Sequence, residues 1–164
     1  MIMEIKDILL NELRNEVQLT EKFLKRIPAD KLDWRPHKKS MNIQELGSHL
    51  AEIPSWITGT MEMDEMDVDG YETPKLSSPD EMVKVLKKNA ADAEASLQKS
   101  NGDFQKKWKM KMKDETLWEM PRIDVLNTVV LNQIPHHRAQ LGVYFRLLDV
   151  SVPATYGPSA DESQ

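Results

Sequence analysis

The length and composition of the chain indicate one globular domain and exclude several classes of protein. The 164 residues are 40% apolar and 30% charged, include no cysteine and carry a formal net charge of −5. No run of about 18 apolar residues occurs, which excludes a membrane-spanning helix. The absence of cysteine excludes disulfides, a cysteine nucleophile and thiolate metal sites, so any metal ion would need nitrogen and oxygen ligands. The four histidines are the first candidates.

Charge and the amino-terminal residues predict where the protein acts and what it does not bind. The negative net charge argues against nucleic acid, whose binding requires a basic surface. Residues 1–5 lack the basic flank and continuous apolar stretch of a secretory signal. We therefore expect a cytoplasmic protein that acts on a small molecule, without a nucleic-acid or membrane partner.

Two amphipathic helices are predicted in the first part of the chain. Residues 4–27 carry apolar side chains at the i, i+3, i+4 spacing of a helix that buries one face. Residues 30–40 show no sustained period and are predicted to form a loop. Asn42 followed by Glu45 has the spacing of a capping box and predicts a second helix, which extends to about Met61.

A linker, a third helix and a small extended element are predicted next. The acidic segment 62–74 breaks the helical period and is interpreted as a linker. Ser78, the proline after it and Glu81 predict the start of a third helix that continues to Leu97. In residues 107–113, lysines alternate with tryptophan and methionine, a period of two that favours a short extended or hairpin element.

The remaining residues predict a long fourth helix and a tail. One apolar face runs through residues 123–148, and Pro135 is predicted to bend this helix, as Pro54 bends the second. Such bends would open a pocket in the bundle. The fold class predicted is all-α, a four-helix bundle with a small extended element before the last helix. Residues 1–150 form the predicted domain, and residues 151–164 form a carboxyl-terminal tail.

Three polar side chains fall on the predicted inner faces of the second and fourth helices. His49 lies in an apolar stripe, and Gln133 and His137 are four residues apart, so that their side chains lie on one helix face. Helical bundles build metal sites from such inward-facing side chains. The alternative is that the two histidines hydrogen-bond each other or Gln133 without any metal.

Neighbouring residues have two interpretations each. His136 points about 100° away from the next residue and is placed on the flank of the helix, near a charged partner from another helix. Arg138 either binds an anionic substrate at the pocket rim or forms a structural ion pair. Glu45 and Glu52 flank His49 at helical spacing, so one of them could orient the imidazole, or both are solvated.

Four blocks of sequence resemble the DinB-like (damage-inducible) family of four-helix-bundle proteins, which is related to bacterial thiol transferases. The blocks are LDWRP at 32–36, ELGSHLAEIP at 45–54, HHRAQL at 136–141 and YGPSADE at 156–162. The resemblance implies a bundle of up-down-down-up order, often dimeric, with a divalent metal, commonly nickel or zinc, held by three histidines.

By position, the resemblance implies that His49 and His137 are two of these ligands. The third family position is occupied here by Gln133 instead of histidine. A neutral amide oxygen is a harder and weaker ligand than imidazole, so metal affinity and nickel or zinc preference should be reduced.

Two functions of different classes follow from these residues. The first is a metal-dependent enzyme in which the ion held by His49, Gln133 and His137 activates water or a low-molecular-weight thiol, making it a hydrolase or a thiol S-transferase. The second is a non-catalytic bundle with a degenerate metal site, a dimeric binding or stress-response protein. Metal content distinguishes them.

Overall fold

The computed structural model describes residues 4–163, which form a helical bundle with a small β-sheet at one end. The helices are α1 (Ile5–Arg26), α2 (Ile43–Glu52), α3 (Pro54–Glu62), α4 (Pro79–Ser96), the short α5 (Asn101–Phe104) and α6 (Arg122–Asp124), and α7 (Gln133–Leu147). A single 3₁₀ turn (Ala29–Lys31) and a π-helical segment (Val125–Leu131) complete the helical structure. The strands are β1 (Glu65–Asp67), β2 (Lys107–Met112) and β3 (Glu115–Pro121).

The predicted apolar stripes form the core of the bundle. Helix α1 packs on α4 and α7, α2 packs on α4 and α7, and α3 packs on α4 and the π-helical segment. The most deeply buried stripe residues include Leu13, Leu24, Leu46, Leu50 and Leu141. The helix periodicity in the sequence therefore identified the faces that exclude water. No helix in residues 4–163 has the length and apolarity needed to cross a bilayer.

The all-α prediction requires correction, because a three-stranded sheet in the order β1-β2-β3 is present. The predicted hairpin is confirmed as the antiparallel pair β2 and β3, with Trp108 buried beneath it. The correction concerns β1, which lies in the acidic segment interpreted as a linker and pairs in parallel with β2. Glu65 of β1 forms an ion pair with Lys111 of β2 at 3.2 Å. Three residues are too few to show the alternation of apolar and polar side chains that predicts a strand. Strand β1 is therefore recognised only by its pairing with β2.

The second predicted helix is interrupted by proline. Helix α2 ends at Glu52 and α3 begins at Pro54, which occupies the first helical position. Proline has no N–H to donate to the preceding turn, and this position is the one a helix tolerates best. The bundle therefore has more helical elements than the four predicted, with a break at Ile53, one turn after His49.

The fourth predicted helix changes type along its length. The backbone N–H of Asn132 donates to the carbonyl of Asn127 at 3.2 Å, the i to i+5 pattern of a π-helix. Helix α7 then starts at Gln133, so Pro135 lies in its first turn, where the missing N–H disrupts no regular bond. The irregularity expected at Pro135 is located in the segment before it.

The last residues follow the surface of the bundle without forming a helix or strand through residue 163. The Asp161 carboxylate accepts hydrogen bonds from the Arg146 side chain and from the backbone N–H of Val152, both at 2.8 Å. The Glu162 carboxylate pairs with Arg26 of α1 at 2.6 Å. The tail is thus attached to both α1 and α7.

Candidate functional site

Two histidines meet where α2 packs against α7. The rings of His49 and His137 lie edge to face with their centroids 4.7 Å apart. His137 is buried, and His49 is partly exposed. The contact follows from the sequence pattern, because each histidine replaces an apolar residue on the stripe that its helix presents to the other. No hydrogen bond joins the two rings in the described part of the chain.

Glu52 is the carboxylate that orients His49. Its Oε2 atom lies 3.3 Å from the His49 Nδ1 atom, and its side chain is only 6% exposed. Its second oxygen, Oε1, accepts a hydrogen bond from the Tyr71 hydroxyl, and the Tyr71 ring packs edge-on against Trp56. Glu45, the other candidate, closes the capping box at the start of α2. The solvated interpretation of Glu52 is therefore wrong.

The second ring is oriented by an amide. The Nδ1 atom of His137 lies 2.9 Å from Oε1 of Gln140, and the Gln140 amide nitrogen lies 3.2 Å from Nε2 of His136. His136 is exposed on the flank of α7 as predicted, but its partner is this amide of the same helix and no charged residue. Burial lowers the pKa of His137 below its ordinary value, which favours a neutral ring.

The two rings share one arrangement, because Nδ1 of each faces an oxygen atom of its own helix. A carboxylate or amide oxygen only accepts, so Nδ1 of each ring donates the proton in these contacts. No side chain among residues 4–163 hydrogen-bonds to Nε2 of His49 or His137. Metal-binding histidines are held this way, with one nitrogen fixed by an oxygen and the other left for the ion.

The donor set fits a divalent ion through two imidazoles and one amide. The described residues hold no group of three or more His, Cys, Asp and Glu side chains suited to a metal ion. Gln133 begins α7 one turn before His137 and lines the same recess as His49, and its amide is the third nitrogen- and oxygen-bearing group of this set. The three residues that the sequence singled out are thus close together, and an amide oxygen is a weaker metal donor than either imidazole.

A small recess lies beside His49, between the break at Pro54 and the π-helical segment. Its volume is about 160 Å³, and His49 and Gln133 are its polar lining. The other lining residues are apolar: Ile53, Trp56, Met110, Val129 and Val130. His49 also borders a more polar cleft of about 330 Å³, formed with Glu45 and the loop residues 72–75. A ligand in the recess would touch the histidine and a mainly apolar wall.

Arg138 does not reach this recess. It is 2% exposed, and its guanidinium pairs with Glu16 of α1 at 2.6 Å. It also donates hydrogen bonds to Thr20 at 3.2 Å and to the Tyr156 hydroxyl at 2.6 Å. The structural ion pair is therefore the correct interpretation of Arg138, and an anionic substrate has no access to it from the recess.

Sequence reasoning missed several residues of the site. Tyr71 lies in a segment interpreted as a linker, and Met110 reaches the recess from β2, far from either histidine in sequence. Tyr71 carries no local signal, and the period of two that includes Met110 predicts an extended element but not its contact with the recess. Glu52 did carry one, since its i+3 position places it on the same side of α2 as His49.

Fold and site together define a helical-bundle protein with a two-histidine cluster between helices and a small apolar recess beside it. The DinB family model matches residues 1–164. The chain therefore belongs to the DinB family. The curated proteins include no match to it.

Solved structures with the same fold come from several bacteria. A DinB-like protein from Bacillus cereus ATCC 10987 is 19% identical, with a TM-score of 0.69 over 95% of this chain and 100% of that one. A DinB-like protein from Bacillus subtilis is 16% identical, with a TM-score of 0.68 over 89% and 95%. A structure from Exiguobacterium sibiricum 255-15 is 19% identical, with a TM-score of 0.70 over 94% and 98%. Sequence identities this low show that the fold is shared and nothing more.

Proposed function

We propose that this DinB family member is a metal-dependent enzyme in which His49, Gln133 and His137 hold a divalent ion, nickel or zinc. The observation that supports this proposal is the orientation of the two rings. Each Nδ1 atom is held by an oxygen of its own helix, 3.3 Å away for His49 and 2.9 Å away for His137. Each Nε2 lone pair is thereby available for the ion.

The proposed reaction is attack of water or a low-molecular-weight thiol on a small electrophile, by hydrolysis or thiol transfer. A bound divalent ion supplies a Lewis acid that lowers the pKa of the nucleophile. Glu52 and Gln140 keep the two imidazoles in one orientation, so that the site is organised before substrate arrives. Three protein ligands leave a coordination position open for the nucleophile. The apolar recess beside His49 limits the water around the reacting group.

Metal content of the untagged protein tests this function. We expect close to one nickel or zinc ion per chain after equilibration with the ion and desalting, and loss of that ion in His49→Ala and in His137→Ala. His37→Ala is the matched control, because His37 is exposed in the loop before α2 and should leave the content unchanged. Absence of metal from the wild type would overturn the proposal.

One observation favours a second function, a non-catalytic bundle with a degenerate metal site. Residues 4–163 hold no group of three or more His, Cys, Asp and Glu side chains that could bind a metal ion, and the position that the family fills with a third histidine is Gln133. In that case the protein would act in dimeric binding or in a stress response. A chain that stays free of metal and binds no added nickel or zinc would support this alternative.

We also propose that the protein is a cytoplasmic homodimer. The absence of cysteine supports residence in a reducing compartment, where disulfides are rare. Light scattering on the purified chain measures its assembly directly. A mass near twice 18.9 kDa supports the dimer, and a mass near 18.9 kDa contradicts it.

A further inference from the structure

The recess beside His49 is lined mainly by apolar side chains, although 30% of the residues in the chain are charged. Its lining includes no charged side chain except His49, if that ring is protonated. Trp56, Met110 and Val129 come from α3, β2 and the π-helical segment, so three elements distant in sequence each contribute an apolar group. A carboxylate or ammonium group placed against these apolar walls would lose its hydration without gaining a partner.

The volume of the recess matches one six-membered ring. A volume of about 160 Å³ is similar to that of an apolar cavity of about 150 Å³, which is known to hold one benzene molecule. The recess is therefore large enough for a single six-membered ring.

The wall chemistry favours an aromatic ring over an alkyl group. The Trp56 indole offers a face or edge for aromatic packing, and it already makes one such contact, edge-on with Tyr71 at 5.5 Å between ring centroids. The Met110 thioether is a second group that attracts aromatic rings. Both side chains line the same recess as His49.

The polar side of the recess determines where the rest of the ligand lies. His49 and Gln133 are the polar groups in its lining, so a hydroxyl or carbonyl attached to the ring would hydrogen-bond there. His49 also borders the polar cleft formed with Glu45 and residues 72–75. A larger ligand can thus extend from the recess past His49 into a cleft that accepts polar groups.

We propose that this recess binds the apolar part of the substrate, a single uncharged aromatic ring, with the substrate's polar atom placed at His49 and Gln133. The assignment of this ligand as a substrate rests on the proposed function. The binding itself does not, because the apolar walls are formed without any metal ligand other than those two residues.

Benzyl alcohol, one neutral ring with one hydroxyl, is the probe that tests the proposal. It is titrated into the full chain freed of metal with EDTA, and the methyl resonances of Ile53, Met110 and Val129 are followed. We expect saturable shifts of these methyl groups. Terephthalate, which carries a carboxylate at each end of the same ring, must bring one charge against the apolar walls and should bind at least about tenfold more weakly.

A pair of valine variants locates the binding. Val129→Phe fills the recess and should weaken benzyl alcohol binding at least about tenfold. Val143→Phe makes the same change on an exposed face of α7, where valine is 59% exposed, and should leave binding unchanged. If Val129→Phe does not fold, the methyl shifts and the terephthalate comparison on the wild-type chain decide the matter.

The outcomes separate this inference from the proposed function. Absence of saturable binding, equal binding of terephthalate, or shifts confined to methyl groups elsewhere would overturn the ring site, even in a protein that holds metal. If the wild type binds benzyl alcohol but no metal, the ring site is supported and only the proposal of a metal-dependent enzyme is rejected.

Discussion

Glu52 connects three parts of the site through one buried carboxylate. Its two oxygens accept from His49 of the same helix and from Tyr71 of the loop before α4, and Tyr71 in turn packs on Trp56 of the recess. The orientation of the His49 ring and the packing of Trp56 are therefore linked through one side chain and its tyrosine partner. Gln140 contacts His137 within the same helix, α7, and orients that ring.

Glu52→Gln should weaken nickel or zinc binding about 10- to 100-fold, the effect typical of a lost partner to a ligating histidine. The amide keeps the volume of the carboxylate but lowers the basicity of the His49 ring. Competition with a coloured chelator measures the dissociation constant. Glu62→Gln, on the exposed end of α3, is the control and should have no effect. Equal affinity in the wild type and Glu52→Gln would show that Glu52 does not act through His49.

Gln133→His should raise metal affinity by about tenfold or more, because imidazole is a better ligand for nickel and zinc than an amide oxygen. The same chelator competition measures the change. Gln18→His adds a histidine on an exposed face of α1 and controls for nonspecific binding. An affinity that does not change in Gln133→His would contradict the position assigned to Gln133 in the site.

Helix ends show how far local sequence decides an element. The capping box of Asn42 and Glu45 is formed as predicted, with hydrogen bonds of 2.7 and 2.8 Å. At α4, Ser78 caps as predicted, but the Glu81 carboxylate accepts from the backbone and hydroxyl of Ser77. The choice between adjacent donors depends on how the chain enters the helix, which the capping pattern does not specify.

The tail should be released from the bundle by acid. Hydrogen bonds from Arg146 and from the Val152 N–H lower the pKa of Asp161, and Arg26 together with the Ala154 N–H lowers that of Glu162. A carboxylate with a lowered pKa stabilises the folded state above its unfolded pKa, and this contribution is lost as pH falls through the lowered value. The attachment should therefore persist to about pH 4 and weaken below it.

Hydrogen exchange of the Val152 and Ala154 amides measures this release, as protection factors corrected for intrinsic rates. We expect protection to fall below about pH 4, while amides in the centre of α1 keep theirs. In Asp161→Asn, protection of Val152 should already be reduced at neutral pH. Constant protection of both amides down to pH 2 would contradict the role of the two carboxylates.

The buried pair of Arg138 and Glu16 joins the first helix to the last. Arg138 follows His137 on α7, Glu16 belongs to α1, and the Tyr156 hydroxyl of the tail donates to Glu16 at 2.6 Å. Burial is the main cause that raises the pKa of Tyr156, and its hydrogen bond to Glu16 is the second. The raised pKa keeps the hydroxyl protonated, so that it can donate. Two helices and the tail therefore meet at one ion pair, on the helix that carries His137.

Two matched substitutions test the importance of this burial. Glu16→Gln leaves the buried Arg138 charge without its counterion and should lower the free energy of unfolding by about 3–5 kcal/mol. Glu94→Gln breaks the exposed pair with Arg14, which has the same 2.6 Å separation, and should cost less than about 1 kcal/mol. Urea unfolding of both variants provides the comparison. Equal losses would show that burial of the first pair contributes nothing.

The sequence by itself determined the helix faces, the two inward histidines and the hairpin, because periodicity and capping are properties of adjacent residues. The resemblance carried by its four blocks was confirmed by the family match. Only the tertiary structure decided that Glu65 belongs to a strand, that Tyr71 reaches Glu52 and that Met110 borders the recess. These contacts join residues far apart in the chain. They form only when the packed helices bring those segments together, and no local pattern encodes that proximity.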